Sequence, residues 1–430
     1  MVKTTFRRLF PAAAESGPSN RQEASEGFLS GIVVQVLILV TGILAARILG
    51  EEGRGQQALI WIVALTIAQV GMFGLPLAIT YESAKDSTSF ARLLDHIRPL
   101  VLIQAAVIVL VYVVVALLLL HDRLPWEAAA ITLVALPAMV WQAYGLALIQ
   151  GRRRFRALHV LRILPAALYV VSLTVGVLLG GTSLLLVMGC WSISYVVAAV
   201  ATSIHVRRID GQALSSELDE LPEVGKLARF GASGFLGSTS PTETFKVDQL
   251  MVGLLLSTGD LALYVTALAF CNLPRLLTQA QGLVAYARVA GERDQAERHR
   301  LILRHTVSGT AIAAAVSAVM ALLAGPLIDL TFGPDFSEAT VITQILLGGT
   351  VILCARRMLS ECMRGAGAPG AGSIAEIVSL AALVPAFLLL VPPFGLEGFA
   401  LGMVISYLAG FFVLLRTALK ATRGGSSETR

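Results

Sequence analysis

KLARFGASGFLGSTSPTETFKVDQLMVGLLLSTGD, residues Lys226 to Asp260, is the stretch on which the reading of this chain turns. It is long enough to cross a bilayer. Its middle nevertheless holds Ser238, Thr239, Ser240, Pro241, Thr242, Glu243, Lys246 and Asp248. Hydrocarbon cannot satisfy such groups, so a span carrying them must face protein or a water-filled cavity. The stretch lies just past the midpoint and follows the longest internal polar segment. It is therefore read as the first helix of a second lobe, lining a wet central cavity.

Composition supports a membrane setting. The 430 residues are 56% hydrophobic and 14% charged, and the mean hydropathy is +0.77. These values describe a polytopic membrane protein, an all-α chain of crossing helices. The formal net charge of +5 does not argue for nucleic acid, because basic residues in such a chain set topology. The four cysteines, Cys190, Cys271, Cys354 and Cys362, fall in apolar runs, which argues against a disulfide framework or a metal knuckle. The six histidines show no ligand spacing, so no metal is expected. The first apolar run is too long for a signal-peptide core and is read as a retained span.

Twelve apolar segments of about 20 residues each can cross the ~30 Å hydrocarbon layer. They lie near 27–49, 56–82, 99–120, 126–150, 159–179, 182–205, 228–256, 260–287, 304–330, 337–362, 371–391 and 395–418. Of the 33 Lys and Arg residues, 26 fall on one side, two (Arg54 and Arg123) on the other, and five within spans. By the positive-inside rule both ends of the chain are expected in the cytoplasm, in a bacterial inner membrane.

The second half echoes the first. Gly53 in LGEEGRGQQAL aligns with Gly259 in LLSTGDLALYV at an offset of 206. Ile149-Gln150-Gly151 aligns with Met363-Arg364-Gly365 at 214, and Ser194-Tyr195 with Ser406-Tyr407 at 212. Each match pairs a span with the span six later. Six is even, so the halves share one orientation, and parallel repeats pack about an axis along the membrane normal with a site between them. The expected organisation is a tail (1–26), an N-lobe (27–205), a cytoplasmic linker (206–225), a C-lobe (226–420) and a second tail (421–430).

Three motifs carry a family resemblance. The first span ends in Ala46-Arg47-Ile48-Leu49-Gly50, followed by Glu51-Glu52-Gly53. Asp248-Gln249-Leu250-Met251-Val252-Gly253 precedes Gly259 and Tyr264. The fourth span ends in Gly151-Arg152-Arg153-Arg154-Phe155. Over nearly its whole length the chain resembles the Wzx-type polysaccharide flippases of the MOP transporter superfamily, many of which have fourteen spans where this chain has room for twelve. The resemblance implies a MATE-like, V-shaped pair of six-helix lobes around a central cavity. It implies alternating access that moves a polyprenyl-pyrophosphate-linked oligosaccharide to the outer leaflet during cell-surface polysaccharide synthesis. Other membrane proteins of polysaccharide assembly would then be partners.

A pyrophosphate calls for cations or helix N-termini, and the intramembrane charges are candidates. Arg275 follows Pro274 near the middle of the eighth span; an arginine there costs about 2.5–3.5 kcal/mol on insertion scales. It is read either as a head-group contact or as a buried partner of Glu243. Lys246 and Glu243 are spaced to pair on one helix face, with Asp248 on another. That pair either closes a helix interface or forms a site that couples transport to H⁺ or Na⁺. Arg356 and Arg357 lie about two helical turns inside the tenth span, with Glu361 within reach of Arg357. They either snorkel to the interface or receive the anionic head group. Arg47 is read as a salt-bridged cap of its turn or as an outer gate, and Glu82 as an interfacial partner of Lys85 or a gate. Gln142, Tyr144, Asn272 and Gln279 are candidate sugar contacts. No cofactor is expected.

Two other functions are weighed. A cation-coupled multidrug exporter of the same superfamily would favour a small acidic cavity, whereas Lys246, Arg275, Arg356 and Arg357 favour an anionic cargo. A sugar polymerase or ligase would need a large outer loop carrying catalytic residues, and no connection here is that long. An enzyme is therefore not expected, nor is ATP-driven transport, since no phosphate-cradling Gly-rich loop with a Lys occurs.

Overall fold

The computed structural model describes residues 20–85, 90–210, 223–238, 245–368 and 370–424. Among them are twelve α-helices, one short 3₁₀ turn and no strand. In chain order the helices are α1 (Asn20–Met72), α2 (Leu75–Lys85), α3 (Phe90–Leu119), α4 (Trp126–Gly151), α5 (Phe155–Leu178) and α6 (Leu184–Asp210). They continue with α7 (Val224–Ser238), α8 (Val247–Leu255), α9 (Thr258–Gly291), α10 (Gln295–Thr331), α11 (Ala339–Gly365) and α12 (Gly370–Gly424).

Nine of the described helices are long and apolar enough to cross a membrane. Two of the nine, with apolar stretches of 47 and 51 residues, are far longer than the ~20 residues one crossing needs. Each is interrupted by one glycine in a non-helical conformation, Gly50 (φ 66°, ψ −172°) in α1 and Gly395 (φ 54°, ψ −130°) in α12. Left-handed φ is open to glycine without a Cβ clash, so each helix contains two crossings. Side chains such as Leu118, Leu179 and Leu322 remain more than three-quarters exposed, as a lipid-facing surface requires.

The predicted seventh span departs from expectation. It is two shorter helices, α7 and α8, rather than one continuous helix. Glu243 and Pro241 lie between them, outside the described residues. Lys246 is the N-cap of α8 in the left-handed region (φ 50°, ψ 41°), and its expected pairing with Glu243 lies outside the described residues. Neighbouring helices hold the two ends of this broken span. α7 lies against α2, where Tyr81 stacks on Phe230 with centroids 4.5 Å apart. α8 packs against α9 and α1.

Within the N-terminal half α4 packs on α6, α1 on α5, and α3 on α4. Within the C-terminal half α11 is central, packing on α9, α10 and α12. α9 starts at a capping box: the Ser257 hydroxyl accepts from Asp260 N at 2.9 Å, and the Asp260 carboxylate accepts from Ser257 N at 3.0 Å. Two orphan amides are thereby satisfied. The cap fixes Thr258, which becomes important below. The four cysteines are free and buried.

The two ends of the bundle differ in charge, as the span count predicts. The end holding Arg152–Arg154, Arg207–Arg208 and Arg288 is called the basic end here. The other, holding the turns at Gly50, Pro125, Ser257 and Gly333, is called the acidic end.

Candidate functional site

A cavity of about 240 Å³ is lined mostly by the C-terminal half, with Gln35 contributed by the N-terminal half. Three cations line it: Lys246 ahead of α8, Arg275 on α9 and Arg357 on α11. Asp248 is the one carboxylate on its wall among the described residues. Gln35 from α1, Gln249 from α8, and Asn272 and Gln279 from α9 supply amides, and Tyr407 from α12 a phenol. Five helices and the α7–α8 break thus converge on one polar chamber.

The cavity's hydrogen bonding is incomplete. Asp248 is buried; one carboxylate oxygen accepts from the Tyr264 hydroxyl at 2.9 Å, while Oδ1 has no partner among the described residues. Arg275 forms no hydrogen bond or ion pair within the described residues, and its Nε is buried. Buried polar groups in folded proteins nearly always find partners. A guanidinium and an amide-rich wall left open toward a chamber are the features of a receptor for a polar ligand. Pro274 removes a backbone donor from α9, and Thr278 donates to the Pro274 carbonyl at 2.9 Å.

The sequence-derived candidates separate in the structure. Lys246, Asp248, Arg275, Arg357, Asn272 and Gln279 come together around the cavity. Arg356 does not. It is 3% exposed and packs into the C-lobe, donating to Glu376 and to the Ser379 hydroxyl, both at 2.6 Å. It is the cation of a buried ion pair between α11 and α12, so it neither snorkels nor reaches the cavity. Glu361 pairs with Arg364 at 3.2 Å. Gln142 donates to the Leu161 carbonyl at 3.1 Å, and Tyr144 donates to Gln104 at 2.5 Å. Both join helices inside the N-lobe, away from the cavity. Glu82 is half-buried on α2, beside α7.

Sequence reasoning missed Gln35, Gln249 and Tyr407 as cavity residues. Uncharged groups in spans are usually interhelical glue. The Ser194-Tyr195/Ser406-Tyr407 repeat was the one available signal for Tyr407.

At the acidic end the lobes are in contact. Arg47 donates to the carbonyls of Thr331 (2.8 Å), Asp329 (3.3 Å) and Leu330, at the C-terminus of α10. Arg123 donates to the carbonyls of Gly253 (3.0 Å) and Leu256 (2.7 Å), at the C-terminus of α8. Helix C-termini present unpaired carbonyls and a partial negative charge, so each arginine of one half caps a helix of the other. Arg47 is thus not the salt-bridged cap of its own turn. Gly55 abuts Thr258 so closely that a Cβ there would lie 1.8 Å from its carbonyl oxygen. Deeper in the membrane, Thr66 donates to the Phe245 carbonyl at 2.9 Å. This is a conformation shut at the acidic end. Burial, and then the carboxylates of Glu338, Asp260 and Asp335, hold the proton affinity of Glu51 above its usual value, a sign of how acidic this mouth is.

The arginine caps carry a prediction. The Arg47→Ala, Arg123→Ala double variant loses contacts worth about 1.5–3 kcal/mol for each charged donor, less where exposed. It is expected to spend more time open at the acidic end. A cysteine at Gln56, in the cleft beside Arg123, should then react faster with a membrane-impermeant thiol reagent. Unchanged labelling would show that the caps do not hold the mouth shut.

The described residues thus form a bundle of membrane-length helices with a polar cavity among them and with contacts between the two halves closing one end. The chain belongs to the family described as "Polysaccharide biosynthesis protein", whose model matches residues 23–287. Its fold is that of the lipid II flippase MurJ in an inward closed conformation, with 12% identity, a TM-score of 0.70, and coverage of 91% of this chain and 86% of that one. It is also that of an inward-facing MATE multidrug resistance transporter of the MOP superfamily: 19% identity, TM-score 0.72, 91% and 96% covered. An outward-facing MATE transporter of the superfamily gives 17% identity and 0.61, with 94% and 97% covered. Among curated proteins none matches the chain in sequence.

Proposed function

We propose that this protein flips a polyprenyl-pyrophosphate-linked oligosaccharide across a bacterial inner membrane, from the cytoplasmic to the outer leaflet, by alternating access. In this reading the basic end and both termini are cytoplasmic, consistent with the bias of Lys and Arg. The observation that carries it is the cavity's charge. Lys246 and Arg275 line it beside one described carboxylate, Asp248, and Arg357, which has a partner of its own, lies on the same wall. Arg275, without a described hydrogen-bond or ion-pair partner, is available to a diphosphate, for which a guanidinium offers paired donors.

The remaining parts suit such a cargo. Gln35, Asn272 and Gln279 supply amides for sugar hydroxyls. The prenyl tail stays in lipid while the head crosses. The acidic mouth disfavours retention of the anion once the lobes part at that end. Asp248 is the group of the cavity most suited to couple transport to H⁺ or Na⁺, because one of its oxygens lacks a described partner.

A multidrug exporter is the competing reading, supported by the likeness to MATE transporters. A cationic drug would meet a cavity of its own sign. A strain lacking the gene discriminates the two. The flippase reading expects cytoplasm-facing polyprenyl-pyrophosphate oligosaccharide to accumulate. Unchanged glycolipids with altered drug sensitivity would refute it.

A further inference from the structure

A second buried arginine lies outside the cavity. Arg54, expected in an outer loop, is instead 9% exposed, folded into the N-terminal half. Taking a guanidinium out of water costs several kcal/mol unless an anion accompanies it. No carboxylate lies within ion-pair distance of Arg54 among the described residues. Its Nη1 donates to Gln57 Oε1, and Gln57 Nε2 donates in turn to the Tyr169 hydroxyl at 3.0 Å.

Following the protons shows what is missing. The chain Arg54–Gln57–Tyr169 contains two side-chain acceptors, and both are already used by the bonds just given. The donors left over include the Arg54 Nε, which is buried without a partner, the Arg54 Nη2 protons, which no described bond uses, and the Tyr169 hydroxyl proton, which has no acceptor among the described residues. Tyr169 is itself 7% exposed. Gly42 faces the guanidinium from the first crossing of α1 without a side chain; a Cβ there would come within 3.4 Å of Nη2. Donors converge with no acceptor and a net positive charge.

We propose that Arg54 and Tyr169 form a binding site for a small monovalent anion, chloride, inside the N-terminal half. With Arg54 9% and Tyr169 7% exposed, we take the ligand to be a single small ion rather than a phosphate ester. The site is separate from the central cavity, since none of Arg54, Gln57 and Tyr169 lines it. The bound ion neutralises Arg54 and fixes the turn after Gly50, whose Gly55 forms the contact with Thr258 across the lobes. A ligand that binds only the folded state raises thermal stability as its concentration passes its dissociation constant.

The test is a thermal unfolding series on purified protein, exchanging sodium gluconate for sodium chloride at constant ionic strength. The wild type is expected to gain several degrees in chloride. Arg54→Gln should lose that gain, while Arg275→Gln, altered only in the cavity, should keep it. Tyr169→Phe removes one donor and leaves the fold's packing; it should need more chloride for the half-maximal gain, which keeps the test decisive if Arg54→Gln does not fold. Three outcomes overturn the proposal: a wild type indifferent to chloride, a gain that survives in Arg54→Gln, or a half-maximal concentration unchanged in Tyr169→Phe.

Discussion

Arg275→Ala is expected to abolish export of the lipid-linked glycan while membrane abundance stays near that of the wild type. The two halves of this expectation have one origin. Arg275 has no hydrogen-bond or ion-pair partner among the described residues, so its truncation breaks no described bond that holds the fold. It also removes a group costing about 2.5–3.5 kcal/mol to place in the membrane. What it loses is the contact to the diphosphate. A hydrogen bond to a charged group contributes about 1.5–3 kcal/mol, or about a 10- to 150-fold loss of affinity. Arg275→Lys keeps the charge and loses the planar fork, so intermediate export is expected. Cell-surface glycan measured beside protein abundance in membranes checks the series. Export that survives in Arg275→Ala would remove the arginine from the head-group site.

The second large effect is expected at Gly55. A valine there would drive a methyl-bearing carbon into the Thr258 carbonyl, and the three nearest atoms all belong to the Thr258 backbone. Thr258 is backbone held by the Ser257–Asp260 capping box, so it cannot swing aside like a flexible side chain. The clash exists only when the acidic end is shut. Gly55→Val should therefore fold, yet favour the opposite conformation. Ordinary overpacking costs about 1–3 kcal/mol, enough to shift a two-state balance about 5- to 150-fold. Spin labels at exposed Thr182 and Phe394 would read the separation across the acidic end, because the four native cysteines are buried. A longer distance in Gly55→Val is the expected result. A wild-type distance would mean that the lobes tolerate the side chain.

Much of this architecture was legible in the sequence. Apolar runs of crossing length gave the helical bundle. The polar load of residues 226–260 marked the cavity, and Lys246, Asp248, Arg275, Asn272 and Gln279 do line it. The losses have physical causes. The break before α8 rests on Lys246 in a left-handed conformation, which a non-glycine residue rarely adopts and no pattern announces. Arg47 and Arg123 act on main-chain carbonyls, and every residue has a carbonyl, so charge pairing could not reveal their partners. Arg356 and Arg357 are neighbours in sequence but project about 100° apart on a helix. One meets Glu376 in the protein interior and the other meets the cavity. Burial of Arg54 likewise depends on α5 bringing Tyr169 beside it, a contact spanning 112 positions between Gln57 and Tyr169.

The central claim is that the cavity receives a lipid diphosphate. Equilibrium binding to the purified protein measures this without reference to any pathway. Labelled polyprenyl diphosphate is predicted to bind the wild type, to be displaced by inorganic pyrophosphate, and to bind Arg275→Ala at least ten-fold more weakly. Polyprenol without phosphate should bind far less. Tight binding of an organic cation, together with no preference for the diphosphate over polyprenol, would contradict the account.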